Sequence, residues 1–338
     1  MHPSLRPCPR GSRLPTTGLS SNEGKTVGTN FRPKIPQIEG PVKLLSYLGM
    51  LPKPWLTALA SLLSTMLNLA GGYRGKVVRG NLERAFPSMT SAERRRLARQ
   101  FQRHFAQLLV ESAKLFRMSE SGLLKGMVHH NRQVVQRLHD EGKHVLVAGG
   151  HMNNWEWSAL TLNQNVPHRT MALYKELSNP SAERLMTASR SRFGLEMVKT
   201  KEGRDWMDRE ATKGEPMAVI MGFDQSPSNP RKSWWTTFLG LETPVHYGLE
   251  QWARRYDMAV VYASIRHEGP WQYSLHYEVI AEDVSDLAEG VILDRCLTAL
   301  EREIHADPAR WLWSHKRWKH RRPEGEPLHP RTHESASQ

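Results

Sequence analysis

Read as a pattern of apolar and polar positions, the chain has two textures. Between residues 92 and 116, Leu97, Phe101, Phe105, Leu108, Leu109 and Leu115 recur every three or four residues, which is one face of a helix. Thr90 stands three residues before Glu93, the spacing of a capping box, and marks where that helix begins. Arg94, Arg95, Arg96, Arg99 and Arg103 occupy its other positions and read as a solvated face, with membrane contact as the second option. From about residue 128, short apolar runs alternate with helical patterns. Strands are expected over 144–148, 170–174, 217–222, 258–265 and 273–280, with helices over 155–164, 180–193, 203–212, 245–256 and 287–305. This alternation predicts an α/β fold with a mostly parallel central sheet flanked by helices. Right-handed crossovers then gather the carboxyl ends of the strands along one edge.

Four regions follow from these textures. Residues 1–40 are rich in Pro, Gly, Ser, Thr and basic residues and lack the apolar core of a secretory signal, so a disordered leader is expected. Residues 41–127 form a helical, membrane-associating region, 128–322 the α/β domain, and 323–338 a disordered tail. Residues 55–69 carry no charge, but about 15 residues fall short of the ~20 that cross a bilayer. With the apolar stretch at 42–48, this segment suits a helical pair lying on a membrane; the alternative is a buried helix of a soluble domain.

Charge narrows the partners. Lys and Arg number 47 against 34 Asp and Glu, a net charge of +13 that calls for an anionic partner such as nucleic acid, an acidic membrane, an acidic protein or a lipid. Cys8 and Cys296 are the only cysteines, which excludes a disulfide framework and a cysteine zinc site. There is no Gly-x-Ser-x-Gly elbow, no His-Glu-x-x-His and no phosphate loop, so the common hydrolase, metalloprotease and nucleotide patterns are absent.

The chemistry concentrates where apolar runs end in glycine. The run 144–148 leads into Gly149-Gly150-His151, with Glu156 five positions on. A histidine released at a strand end lies where α/β folds place their sites, and a carboxylate one helical turn on can fix its tautomer, as a general base requires. The run 217–222 also ends in glycine and releases Asp224 and Gln225. If the sheet is parallel, Asp224 and His151 emerge on the same side, although Asp224 alone could merely cap a loop. Between them lie Lys175 and the arginines Arg184, Arg190 and Arg192, which could hold an anionic group or a developing oxyanion, or be surface charges. The stretch after Gln225 carries Arg231, Lys232, Trp234, Trp235 and Phe238 and suits a loop lining an acyl groove or touching lipid; a packed loop without a role is the alternative. Residues 309–322 interleave Trp311, Trp313 and Trp318 with six Arg and Lys, a pattern that suits an anionic membrane or single-stranded nucleic acid.

Taken together, these residues resemble the bacterial lipid A late acyltransferase family, within the lysophospholipid acyltransferase superfamily. The matching pieces are Arg79-Gly80-Asn81-Leu82 with Ala85-Phe86-Pro87, Gly150-His151 through Glu156, Tyr174-Lys175 with Asn179-Pro180, Arg190-x-Arg192-x-Gly194, Asp224-Gln225, Phe238-Leu239-Gly240 and Trp311 through Lys319. They cover roughly residues 43–320 in the family's order. The residues from Ser226 to Pro230 and the Trp234-Trp235 pair depart from the best-known lipid A enzymes. The resemblance implies a glycerolipid-acyltransferase-like fold and an O-acyltransferase at the cytoplasmic face of a bacterial inner membrane, held peripherally or by a single anchor. It implies His151 as general base, Glu156 as the acceptor of a hydrogen bond from the ring, Arg190 at the oxyanion, and Asp224 orienting a basic side chain or the acceptor. The donor would be acyl carrier protein or acyl-CoA and the acceptor a glycolipid, with no metal, cofactor or nucleic acid. A lysophospholipid acceptor and a basic nucleic-acid-binding protein are the alternatives.

Overall fold

A computed structural model describes residues 47–332. The expected leader, the apolar stretch before Tyr47 and the last six residues lie outside the described residues. Helix α1 (Lys53–Leu69) has a proline ahead of its first turn and packs through Leu56, Ala60 and Ser64. Helix α2 (Gly75–Ala85) is followed by α3 (Ser91–Leu115), which begins as the sequence predicts. Its Thr90 hydroxyl accepts the Glu93 N–H at 3.2 Å, and Glu93 accepts the Thr90 N–H at 2.6 Å. Leu97, Phe101, Leu108 and Leu115 form the buried face of α3, while Ala106, Val110 and Ala113 are also covered.

The α/β part follows in the order α4 (Glu120–Gly126), β1 (Met127–His130), α5 (Arg132–Asp140), β2 (Val145–Gly149), α6 (Trp155–Thr161), β3 (Arg169–Tyr174), α7 (Pro180–Ser191), β4 (Glu196–Lys199), α8 (Gly203–Glu210) and β5 (Met217–Gly222). It continues through the hairpin β6 (Trp234–Phe238) and β7 (Leu241–Val245) to α9 (Gly248–Arg255), β8 (Ala259–Gly269), β9 (Gln272–Ala281) and α10 (Val291–Ala306). Seven strands form one sheet in the order β1-β9-β8-β2-β5-β3-β4. Strands β8, β2, β5, β3 and β4 run parallel; β9 is antiparallel to β8, and β1 is parallel to β9.

Period-two alternation sends side chains to two faces. Leu146, Ala148 and Val219 join one core with Leu293, Leu297 and Leu300 of α10, while Val145, Val147 and Ala218 join the other with Leu56 of α1 and Trp157 of α6. The helices of 53–126 and the α/β part thus form one compact unit, not two regions. Among the described residues, no helix is long and apolar enough to cross a membrane.

Two expectations change. The aromatic stretch 234–238, read as a loop, pairs with 241–245 across a turn in which Leu239 and Gly240 both have positive φ. Residues 323–332, read as disordered, lie along that hairpin: the His329 N–H donates to the Trp235 carbonyl at 2.8 Å, and buried Arg331 pairs with Asp294.

Candidate active site

The register of the sheet brings the site together. Gly149 of β2 and Gly222 of β5 are direct partners in neighbouring parallel strands, so His151 and Asp224 each stand two residues beyond the same point on one edge. The glycines leave the room these side chains need. A Cβ on Gly222 would stand 3.2 Å from His151 Cε1, and one on Gly150 would stand 2.5 Å from Leu300 Cδ1 and 3.5 Å from Asp224 Oδ2.

Asp224 is buried and accepts three hydrogen bonds. Its Oδ1 accepts from His151 Nδ1 at 2.6 Å, and its Oδ2 from the His151 backbone N–H and Trp311 Nε1, both at 2.8 Å. Gln225 Nε2 donates to His151 Nε2 at 3.1 Å. A carboxylate beside Nδ1 and an amide N–H beside Nε2 specify one tautomer, with the proton on Nδ1 and the lone pair on Nε2. Burial opposes ionisation of Asp224, but the His151 charge and the hydrogen bonds from His151 and Trp311 hold its carboxyl well below the usual range. Burial also opposes charging of the ring. The Asp224 charge and hydrogen bond, helped by Glu156 and opposed by Arg190, still leave His151 above the ordinary 6.5. About a quarter of the imidazole side chain, 24%, remains open to solvent.

Glu156 does not hold the ring. Its carboxylate takes a two-pronged contact from Arg190 of α7, Nε at 2.9 Å and Nη2 at 2.6 Å, and a bond from Trp155 Nε1 at 3.2 Å. The reason is local: α6 begins only at Trp155, so residues 151–154 are not a helical turn and Glu156 is not stacked over His151. Asn153 turns the chain with φ +49° and Asn154 caps the helix, its Oδ1 accepting from the Trp157 N–H at 3.0 Å. The ring instead meets the edge of Trp155, centroids 5.1 Å apart. Buried Glu111 of α3 secures the turn from behind, accepting from Asn154 Nδ2 and Tyr273 Oη, both at 2.7 Å.

The other expected residues separate. Arg190 reaches the site through Glu156, which makes it a neighbour of the ring rather than a free anion hook. Arg192 is committed to the carbonyls of Leu115 and Phe116, and Arg184 stays on the surface. Lys175 is exposed beyond β3, with no hydrogen bond to the site. Trp235 and Phe238 are buried, which removes them as lipid contacts. Trp235 donates to the Pro230 carbonyl, while Phe238 packs on Trp311 and so supports the indole that holds Asp224. Trp234 is half-buried between Tyr247 and His329. Trp311, Trp313 and Trp318, read as lipid or nucleic-acid contacts, are buried too. Sequence reasoning did not foresee Trp311 as a ligand of Asp224, nor His315, whose Nε2 accepts the Ser226 N–H at 2.9 Å. The dense Trp pattern was the available signal, and it pointed outward when the rings face in.

Comparison with known proteins adds three findings. The model of the family described as bacterial lipid A biosynthesis acyltransferase matches residues 41–320. The chain is 25% identical over 282 residues to the lipid A biosynthesis palmitoleoyltransferase of Escherichia coli, covering 82% of this chain and 88% of that protein. It is 23% identical over 269 residues to a lipid A biosynthesis acyltransferase of Haemophilus influenzae, covering 76% and 81%.

Proposed function

The chain belongs to the bacterial lipid A biosynthesis acyltransferase family, and from that premise we propose that it transfers a fatty acyl group from a thioester to a hydroxyl of a lipid A precursor, with His151 and Asp224 as the base pair. One observation carries the assignment: Asp224 faces Nδ1, which leaves the lone pair on Nε2, where the Gln225 amide donates, in a side chain that is 24% exposed. An acceptor hydroxyl takes the place of the Gln225 amide, and Nε2 removes its proton as the oxygen attacks the thioester carbonyl. Asp224 stabilises the imidazolium. Arg190, whose Nε and Nη2 are taken by Glu156, keeps Nη1 as the donor for the tetrahedral oxyanion. Collapse of the intermediate breaks the C–S bond, the departing thiolate takes the proton back from the ring, and an ester and a free thiol result.

The thioester would sit on acyl carrier protein, an acidic partner suited to a chain of net charge +13, or on CoA. Peripheral placement at the cytoplasmic face of the inner membrane is supported by α1, whose Trp55, Leu62, Met66 and Leu69 stand exposed on one stripe. Burial of Trp311, Trp313 and Trp318 takes away the stacking platform that a nucleic-acid reading needs. The test is purified full-length protein with acyl carrier protein or CoA thioesters and either a lipid A precursor or a lysophospholipid, read by mass spectrometry. The reading expects an added acyl ester on the lipid A precursor that disappears in His151→Ala. An unchanged product yield in a folded His151→Ala protein, or acylation of the lysophospholipid alone, overturns it.

A further inference from the structure

In the resting protein the lone pair of the base is already occupied. Asp224 takes the Nδ1 side of the His151 ring, Trp155 meets the ring edge-on, and Gly222 lies beside Cε1, so Nε2 is the polar atom left for a ligand. Gln225 Nε2 donates to it at 3.1 Å. Among the described residues the Gln225 side chain makes no other hydrogen bond, and it is half-buried. Its backbone, by contrast, is pinned on both sides. Asp224 before it accepts three hydrogen bonds, from the His151 ring, the His151 N–H and Trp311. After it, the buried Ser226 N–H donates to His315 Nε2 at 2.9 Å, and the Pro227 carbonyl accepts from His320 Nε2 at 2.9 Å. Gln225 is a short arm on a fixed mount, and rotation about its own side-chain bonds uncovers Nε2 without moving the strand end.

We propose that Gln225 is a specificity-determining residue that selects acyl transfer over hydrolysis: its amide holds the Nε2 lone pair until an acceptor hydroxyl displaces it, and so keeps water from the base. The need for such a cover follows from the chemistry. An uncovered base beside a bound thioester activates water as readily as an alcohol. The water oxygen attacks the carbonyl as Nε2 takes its proton, the C–S bond breaks, and the thiolate recovers the proton from the ring. A free fatty acid and a free thiol result, and the acyl group is lost. The strength of the contact suits the role. A neutral hydrogen bond at a half-buried site favours the covered arrangement by about twofold to tenfold. An acceptor bound through the rest of a large amphiphile overcomes that factor, whereas a single water brings no further contacts to offset it.

Gln225→Ala in the full-length protein tests the cover in two ways. Without substrate, diethyl pyrocarbonate attacks the free lone pair of a neutral imidazole. Carbethoxylation of His151, followed by peptide mass spectrometry above the titration midpoint of each protein, is expected to run about twofold to tenfold faster in the variant. With acyl carrier protein thioester and a lipid A precursor, the ratio of free fatty acid released to acyl ester formed is expected to rise by the same factor. The second arm rests on the acyl-transfer reading and the first does not, so a wild type that forms no acyl ester counts against that reading while the reagent still reports the cover. A folded Gln225→Ala protein carbethoxylated at the wild-type rate overturns the cover. Faster carbethoxylation with an unchanged hydrolysis ratio overturns the selection. Should Gln225→Ala not fold, Gln225→Asn, whose arm is shorter by one methylene, must give the same two increases, and their absence overturns the proposal.

Discussion

Asp224→Asn separates the two candidate carboxylates most sharply. The exchange keeps size and removes one charge. With the amide oxygen in place of Oδ2, the new side chain still accepts from the His151 N–H and Trp311 Nε1, both at 2.8 Å in the wild type. Its NH2 then occupies the place of Oδ1, 2.6 Å from His151 Nδ1. Two donors cannot face each other, so the ring must give up its Nδ1 proton and carry it on Nε2. The base is then protonated where the acceptor needs a lone pair. Loss of charge assistance in about three hydrogen bonds costs on the order of 1–3 kcal/mol of stability. Inversion of the tautomer should lower kcat by about 10³- to 10⁴-fold, the order seen for a comparable exchange in a serine protease triad. Steady-state acyl transfer beside a thermal melt reads both quantities. A folded Asp224→Asn protein within tenfold of wild-type kcat would refute the reasoning.

Four further outcomes follow from the same geometry. Glu156→Gln removes a charge that favours the imidazolium, so the acidic limb of kcat/KM should move to lower pH, with kcat falling less than about 10²-fold; a loss as large as that of Asp224→Asn would restore Glu156 as the ring's partner. In the wild type, His151 is raised by Asp224 against the opposing effect of burial, so kcat/KM should fall as pH drops through a midpoint above 6.5; a midpoint below 6.5 contradicts the pairing. Gly222→Ala places a Cβ 3.2 Å from His151 Cε1 and displaces the ring by a few tenths of an ångström, which should cost about tenfold to 10²-fold in kcat with little change in melting temperature. Leu62→Asp with Met66→Asp alters two exposed positions of α1, so stability should hold within about 1 kcal/mol while co-sedimentation with phosphatidylglycerol vesicles weakens at least tenfold. Unchanged sedimentation would remove α1 as the membrane contact.

Much of the sheet is legible because four strands are apolar runs ended by glycine or polar residues and a fifth, at 273–280, alternates. The four-residue strands Met127–His130 and Glu196–Lys199 are not, since each is short and Met-Val-His-His does not alternate in residue type although its burial does. The hairpin was missed because Trp234 to Phe238 follows a proline- and serine-rich stretch that reads as loop, although the Leu239-Gly240 turn was its signal. At the site, strand-end logic placed His151 and Asp224 on one edge, and the paired register of Gly149 and Gly222 made them neighbours. Spacing alone does not show which group faces Glu156, and the structure pairs it with Arg190. A five-residue interval implies stacking only within a helix, and here the helix starts at Trp155, after the turn at Asn153. The tail misled for a different reason. Interleaved Trp and basic residues describe an amphipathic surface as well as a buried segment from which Lys316 and Lys319 reach solvent, and which of the two forms depends on the long-range contact of Trp311 with Asp224.

The base itself is most directly examined by 15N NMR of the His151 ring in the full-length protein, assigned by its loss in His151→Ala. Above the titration midpoint, Nδ1 is expected to carry the proton and Nε2 the lone pair, with the midpoint itself above 6.5. A neutral ring protonated on Nε2 would contradict the pairing with Asp224 and, with it, the proposed catalytic chemistry.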